Sequence, residues 1–296
     1  MARVTWGRKI SLPKKISRSD INMLEIIEHG PVKQLRMSRI VDGKPVYFTN
    51  AYFIDGLLID TGCRSCAAEF RDAVQNMKIN LVVNTHHHED HIGNNDYFEA
   101  RHIPIYAPSD SLERLKNPPR WMHPYRVLAW GYPPGSTARA LVPEINTANH
   151  LFQVVPAPGH CDDQVVLWEP KEGWLFSADA FMGIRVRYLR ADEDPEIILH
   201  TVRKLAELPV NAIYCSLLGE VQKGRSVLQE KADFLEQTIE RVKSLAAAGL
   251  TDAEISLEIL GEEGFFKDFT DGHFCKENLV SNILAGEPRE PWTKSW

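Results

Sequence analysis

The stretch VVNTHHHEDHIGNN, residues 82 to 95, packs four histidines, a glutamate and an aspartate into six consecutive positions. It follows INLVV, a short apolar run of the kind buried on both faces of a sheet. The polar cluster therefore begins where a buried strand ends. In an extended segment alternate side chains share a face, so His86 and His88 point one way and His87 and Glu89 the other. The latter two are expected to be solvated loop residues. Two imidazoles on one side suit Zn²⁺, which takes nitrogen ligands at ~2.0–2.1 Å. Asp90 and His91, where DHIGNNDYF turns toward a helix, bring more ligands than one tetrahedral ion needs, which suggests two ions side by side. A tag remnant would sit at a terminus, and this run lies in mid-chain.

The flanking sequence alternates strands and helices. YFTNAYFIDGLLIDTG reads as a hairpin about Asp55-Gly56. AAEFRDAVQNMK places Ala67, Phe70, Val74 and Met77 at helical spacing. IPIYAP is a further strand. Residues 109 to 145 are rich in proline and aromatics with little periodicity, and read as an insertion or lid. HLFQVVPAPGH, QVVLWEP and GWLFSADA are three more strands. PEIILHTVRKLAEL is a helix, and NAIYCSLLGE is a last strand with its loop. From about residue 226 the chain turns to helix formers. Leu228, Ile239, Val242 and Leu245 share a face that ends at Gly249, and TDAE has the form of a capping box. The organisation expected is a basic arm over 1–20, a catalytic domain over 21–225 and a helical extension over 226–296.

Bulk properties narrow the function classes. A 296-residue chain can bury a sizeable core. Its formal net charge of -6 disfavours a general nucleic-acid binder. Six basic side chains among the first 19 residues come without the apolar stretch of a secretory signal. No apolar run approaches the ~18 residues of a membrane span. Five cysteines, an odd number, fit a reducing cytoplasm. The expected partners are a small-molecule substrate and at most a second copy as a homodimer, with neither nucleic acid nor membrane.

HHHEDH matches His-x-His-x-Asp-His and resembles the signature of the metallo-β-lactamase-fold superfamily. LLIDTG, APGH and LFSADA resemble three further segments of that family, in the same order along the chain. The resemblance implies an α/β fold, a four-layer αββα sandwich with metals at one edge, here with a C-terminal helical extension. It implies that His86, His88 and His160 hold a first metal, that Asp90 and His91 belong to a second, and that Asp179 bridges them. Asp60 would stand behind the ligands. The implied cofactor is Zn²⁺, one or two ions, with iron or manganese as alternatives. The implied chemistry is hydrolysis of a small ester, thioester, lactone or amide by a metal-activated water, with Asp90 able to orient it or take its proton. Glyoxalase II and the lactonases are the comparison points.

One position departs from the family. A further metal histidine is usual after the last core strand, where this chain has Leu217 or Leu218. The second site is then filled weakly, completed by a substitute, or absent, which frees Asp90 for acid–base work. Cys215, Cys161 and His273 are the candidate substitutes. Cys215 reads as a small core residue, Cys161 as pointing away, and His273 as a structural or site-lining residue of the tail. An incomplete second site also resembles the single-metal centre of a competing activity in the family, that of the mononuclear iron persulfide dioxygenases. A metal-binding but non-catalytic interaction protein is a further alternative, and a nuclease is disfavoured by the acidic balance. Cys63 and Cys66 form a lone CxxC, a weak metal signal.

Overall fold

The computed structural model describes residues 22–286. The basic arm expected over 1–20 and the last ten residues of the extension lie outside the described residues. A long hairpin opens the fold: β1 (Asn22–His29) and β2 (Val32–Val41). β3 (Lys44–Ile54), β4 (Leu57–Ile59), β5 (Leu81–Val83), β6 (Ile105–Ala107) and β7 (Arg139–Ala140) complete a seven-stranded sheet in sequence order. Its pairings are antiparallel from β1 to β4 and parallel from β4 to β7. The second sheet contains β8 (Glu144–Asn146), β9 (Leu151–Pro156), β10 (Val165–Glu169), β11 (Trp174–Ala178), β13 (Ala212–Cys215) and β14 (Gly219–Gln222). A separate ribbon pairs β12 (Leu189–Arg190) with β15 (Phe274–Cys275).

Ten helices surround the sheets among the described residues. α1 (Ala67–Val74), α2 (Glu89–Ile92), α3 (Asn95–Glu99), α4 (Leu112–Lys116) and α5 (Pro124–Ala129) go with the first sheet. α6 (Pro195–Glu207), α7 (Gly224–Ala247), α8 (Asp252–Leu260), α9 (Phe265–Phe269) and α10 (Lys276–Leu284) go with the second half.

Strand alternation builds the layers. In β13, Ala212 and Tyr214 point between the sheets, and Ile213 and Cys215 point to the helices. In β4, Leu57 and Ile59 join the inter-sheet core and Leu58 the outer one. The inter-sheet core stacks Tyr214 on Phe176 with ring centroids 4.9 Å apart. Outside the first sheet, Phe70, Val74 and Phe98 cover the strands; outside the second, Val202, Leu228, Leu235 and Val242 do so. This is the αββα sandwich the resemblance implies. Thr251 and Glu254 form the expected reciprocal cap at the start of α8.

Three differences from the sequence reading have local causes. β1 and β2 are absent from that reading, although Asp42-Gly43, both at positive φ, is a hairpin turn like Asp55-Gly56. β14 follows β13 after a turn and pairs with it antiparallel, so the expected last strand is not last. The segment 109–145 is not a structureless loop. It forms α4 and α5, then gives β7 to one sheet and β8 to the other. No helix among the described residues is long and apolar enough to cross a membrane.

Candidate metal centre

The site forms where strand ends from both sheets meet. β4 delivers Asp60, and β5 runs directly into Thr85, His86 and His88. From the second sheet, the turn after β9 delivers His160, β11 delivers Asp179, and β13 delivers Ser216. β4 and β5 are parallel neighbours, as are β11 and β13, so their carboxyl ends open on one side. Gly159 precedes His160 at φ +128, and a Cβ there would lie 2.7 Å from the Ile198 side chain and 2.9 Å from its backbone. Only glycine lets this turn press against α6.

Donor atoms of His86, His88, His160 and Asp179 lie within 4.8 Å of one another, as do those of Asp90, His91 and Asp179. The two groups share Asp179. Within the first, His88 Nδ1 is 3.0 Å from both His86 Nε2 and His160 Nε2. His160 Nε2 is 3.1 Å from an Asp179 oxygen. His86 and His91 are fully buried. His273, the candidate substitute, lies outside both groups. It stacks on His123 with centroids 3.8 Å apart, and its Nδ1 is 2.8 Å from the Tyr125 hydroxyl. Of Leu217 and Leu218, the first lines a cavity beside Asp179 and the second is 53% exposed. Cys215 is buried, with Sγ 2.6 Å from the Phe181 carbonyl. Cys161 comes within the same 4.8 Å of His87 and His88, apart from the other donors.

The outward nitrogens of His91 and His160 are held by carboxylates, and that of His86 by the Thr85 hydroxyl at 3.1 Å. Asp60, at φ 62, sets Oδ2 2.7 Å from His91 Nδ1, and its Oδ1 accepts from the Thr85 amide at 2.8 Å. Glu193 lies 2.6 Å from His160 Nδ1 and also accepts from the Arg190 amide at 2.7 Å. Such partners fix the tautomer and turn the other ring nitrogen inward as a lone pair. His91 Nε2 is buried with no hydrogen-bond partner, 3.6 Å from Asp90 and 3.4 Å from Asp179. Imidazole lone pairs and carboxylates crowding one volume is a donor set suited to divalent cations. The residues present therefore fit a metal.

Electrostatics agree for His86 and His88, whereas, against burial, the surrounding carboxylates raise the pKa of His91 and His160. Burial pushes the pKa of His86 and His88 well below the ordinary imidazole value, which keeps them neutral, as ligation requires. Burial works against charging His91, but Asp60, Asp90 and Asp179 outweigh it and raise its pKa. Burial also opposes ionising Asp179, yet His160 and His91 hold its carboxyl well below the usual range. Asp90 is pushed up to about 6, chiefly by burial.

Several contributors escape the sequence reading. Ser216 donates its hydroxyl to Asp179; the available signal is a polar residue ending an apolar strand. Glu89, expected to be solvated, is buried, and His87, expected likewise, is only partly exposed. His87 Nδ1 lies 2.8 Å from Asp163, whose side chain is fully buried. Glu89 is 4% exposed and accepts two hydrogen bonds from Arg126 of α5, at 2.5 and 2.7 Å. Through that pair the 109–145 segment is fastened to the histidine run. Tyr125 and Trp130 then wall a cleft of about 100 Å³ over His88, Asp90, His160 and Asp179, opposite Phe266, Phe269 and Phe274 of the C-terminal region. No sequence period announces such pairing across the chain.

Glu193→Gln keeps the shape of the side chain and removes its charge. It is expected to weaken metal binding about 10–100-fold, read by competition against a chelator. Affinity within twofold of wild type would mean that His160 is not held through Glu193.

Fold and donor set together define an αββα protein with a buried cluster of candidate metal donors where its strand ends meet. The family model of the metallo-beta-lactamase superfamily matches residues 45–216, more than half of the 296 residues, and the chain belongs to that superfamily. It is 25% identical over 182 residues to a hydroxyacylglutathione hydrolase of Bdellovibrio bacteriovorus, covering 58% of this chain and 64% of that one. The chain thus spans just under two thirds of that relative. It is 23% identical over 236 residues to a beta-lactamase-like protein 2 homolog of Caenorhabditis elegans, covering 73% of this chain and 72% of the relative. Among solved structures, a beta-lactamase domain protein of Burkholderia ambifaria superposes with a TM-score of 0.65 at 16% identity, covering 89% and 90% of the two chains.

Proposed function

We propose that this protein is a zinc-dependent hydrolase of a small ester, thioester, lactone or amide. The observation that carries the reading is the pair of donor groups joined through Asp179. Relatives named hydroxyacylglutathione hydrolase support the same reaction class. His86, His88, His160 and Asp179 would hold one ion, and Asp90, His91 and Asp179 a second. Bound zinc supplies a water of pKa about 7 and a Lewis acid for the electrophile's oxygen.

The chain's own groups do the rest. Where the second group holds no ion, Asp90 lines the cleft with a carboxyl pushed up to about 6, so it can then take a proton at its carboxylate oxygen near neutral pH. With a second ion bound it would serve as a ligand instead. Tyr47 lines the cleft, and burial raises its pKa. It therefore keeps its O–H as a donor for a substrate oxygen. Tyr125, Trp130 and the three phenylalanines exclude water around the reacting bond. A cytoplasmic setting suits the five free cysteines.

The deciding measurement is metal identity and stoichiometry by plasma emission on untagged protein, followed by a screen of esters and lactones. Zinc with ester turnover supports the reading. One iron per chain with oxygen consumed in the presence of a persulfide would replace it. Leu217→His adds a donor beside Asp179 and is expected to raise metal content at limiting zinc. An unchanged content would mean that position 217 does not face the second group.

A further inference from the structure

A second cavity, of about 300 Å³, adjoins the donor groups and shares His160, Asp179 and Glu193 with the cleft above them. Ile198, Val202, Leu217 and Phe266 give it an apolar wall. At the wall formed by α7 lies Lys231, only 3% exposed. Its Nζ has one hydrogen-bond partner, the Ala180 carbonyl at 2.9 Å, and sits 5.4 Å from the Phe181 ring centroid. Among the described residues no carboxylate forms an ion pair with it. An ammonium carries three N–H donors, and a buried charge is costly unless paired. Two donors are left over in a cavity that opens onto the reaction centre.

We propose that this cavity binds the carboxylate end of an acid-bearing substrate, a half-ester or half-thioester of a dicarboxylic acid, with Lys231 as its counter-ion and the scissile carbonyl at the donor groups. The inference rests on the hydrolase reading above and narrows its substrate class. One buried cation matches a monoanion. Asp179 and Glu193 line the same cavity and disfavour a dianion such as phosphate. Glu193 is already occupied by His160 and Arg190, so it does not compete for the lysine. The apolar wall suits a run of methylenes, and Leu217 contributes to that wall rather than to the metal. Burial lowers the Lys231 pKa to about 8, which still leaves the group mostly charged at pH 7.

The test measures binding of monomethyl adipate, dimethyl adipate and inorganic phosphate to the metal-loaded full chain by calorimetry at pH 7. The half-ester is expected to bind at least tenfold more tightly than the diester. Lys231→Met is expected to bring the two within twofold at unchanged metal content, and Lys231→Arg to restore part of the preference. A wild-type ratio below twofold overturns the proposal, and that comparison needs no variant. A ratio that survives in Lys231→Met also overturns it, since the carboxylate would then be held by the metal or by Arg185 and Arg187, two exposed residues that also line the cavity. Phosphate binding more tightly than the half-ester makes the anion class wrong. If Lys231→Met does not fold, Val186→Glu places a competing carboxylate in the same cavity and is expected to abolish the preference. Turnover is read separately. A binding preference without cleavage of either ester counts against hydrolysis alone, and cleavage without preference counts against this cavity alone.

Discussion

Replacing Asp179 with alanine is expected to strip metal from both donor groups at once. Asp179 is the one residue common to them. Without it the first group falls to three imidazoles and the second to Asp90 and His91. The first loses its only carboxylate and the second one of its two. The loss is expected to exceed the about 10–100-fold penalty that follows removal of an outer partner, and ester turnover is expected to disappear with it. Metal content after dialysis against a weak chelator reads the effect, and thermal melting checks that the fold remains. His86→Ala should reduce the first group in the same assay. If either variant retains wild-type metal, the centre lies elsewhere.

Glu89→Ala is expected to cost about 3–5 kcal/mol of folding stability, the usual penalty for leaving one member of a buried ion pair alone. Arg126 is 16% exposed at its side chain and Glu89 4%, so the stranded guanidinium has little access to water. The paired change Glu89→Met with Arg126→Met should recover most of that loss, because two apolar side chains leave nothing buried and unpaired. Denaturant unfolding of the three proteins separates the cases. Should Glu89→Ala lose under about 1 kcal/mol, α5 is not held by this pair and the cleft wall must be anchored by its apolar contacts alone.

The donor residues lie in short contiguous patterns, which is why they are legible in the sequence. His86 to His91 follow a buried strand, Asp60 and Asp179 each directly follow one, and His160 sits in the turn after one, all with a recognisable local sequence. What supports them is not legible. Glu193, Ser216 and Arg126 reach the centre from segments whose sequences carry no metal-site pattern, and only folding brings them there. Strand and helix periods predict most elements between residues 47 and 284. β1 and β2 escape because their long ladder alternates burial weakly: Glu25 and Ile26 are both exposed. His87 and Glu89 go astray for another reason. Alternation says which side a residue faces, but not whether a partner waits there.

The cleft draws its walls from distant parts of the chain: Tyr47 near one end, Tyr125 and Trp130 in the middle, and Phe266, Phe269 and Phe274 near the other. The donors are complete once residue 179 is in place, about a hundred residues before the last wall. The donors and the last wall thus belong to separate stretches of the chain. For the same reason, changes around residues 266–274 can retune selectivity while leaving the reactive centre as it is.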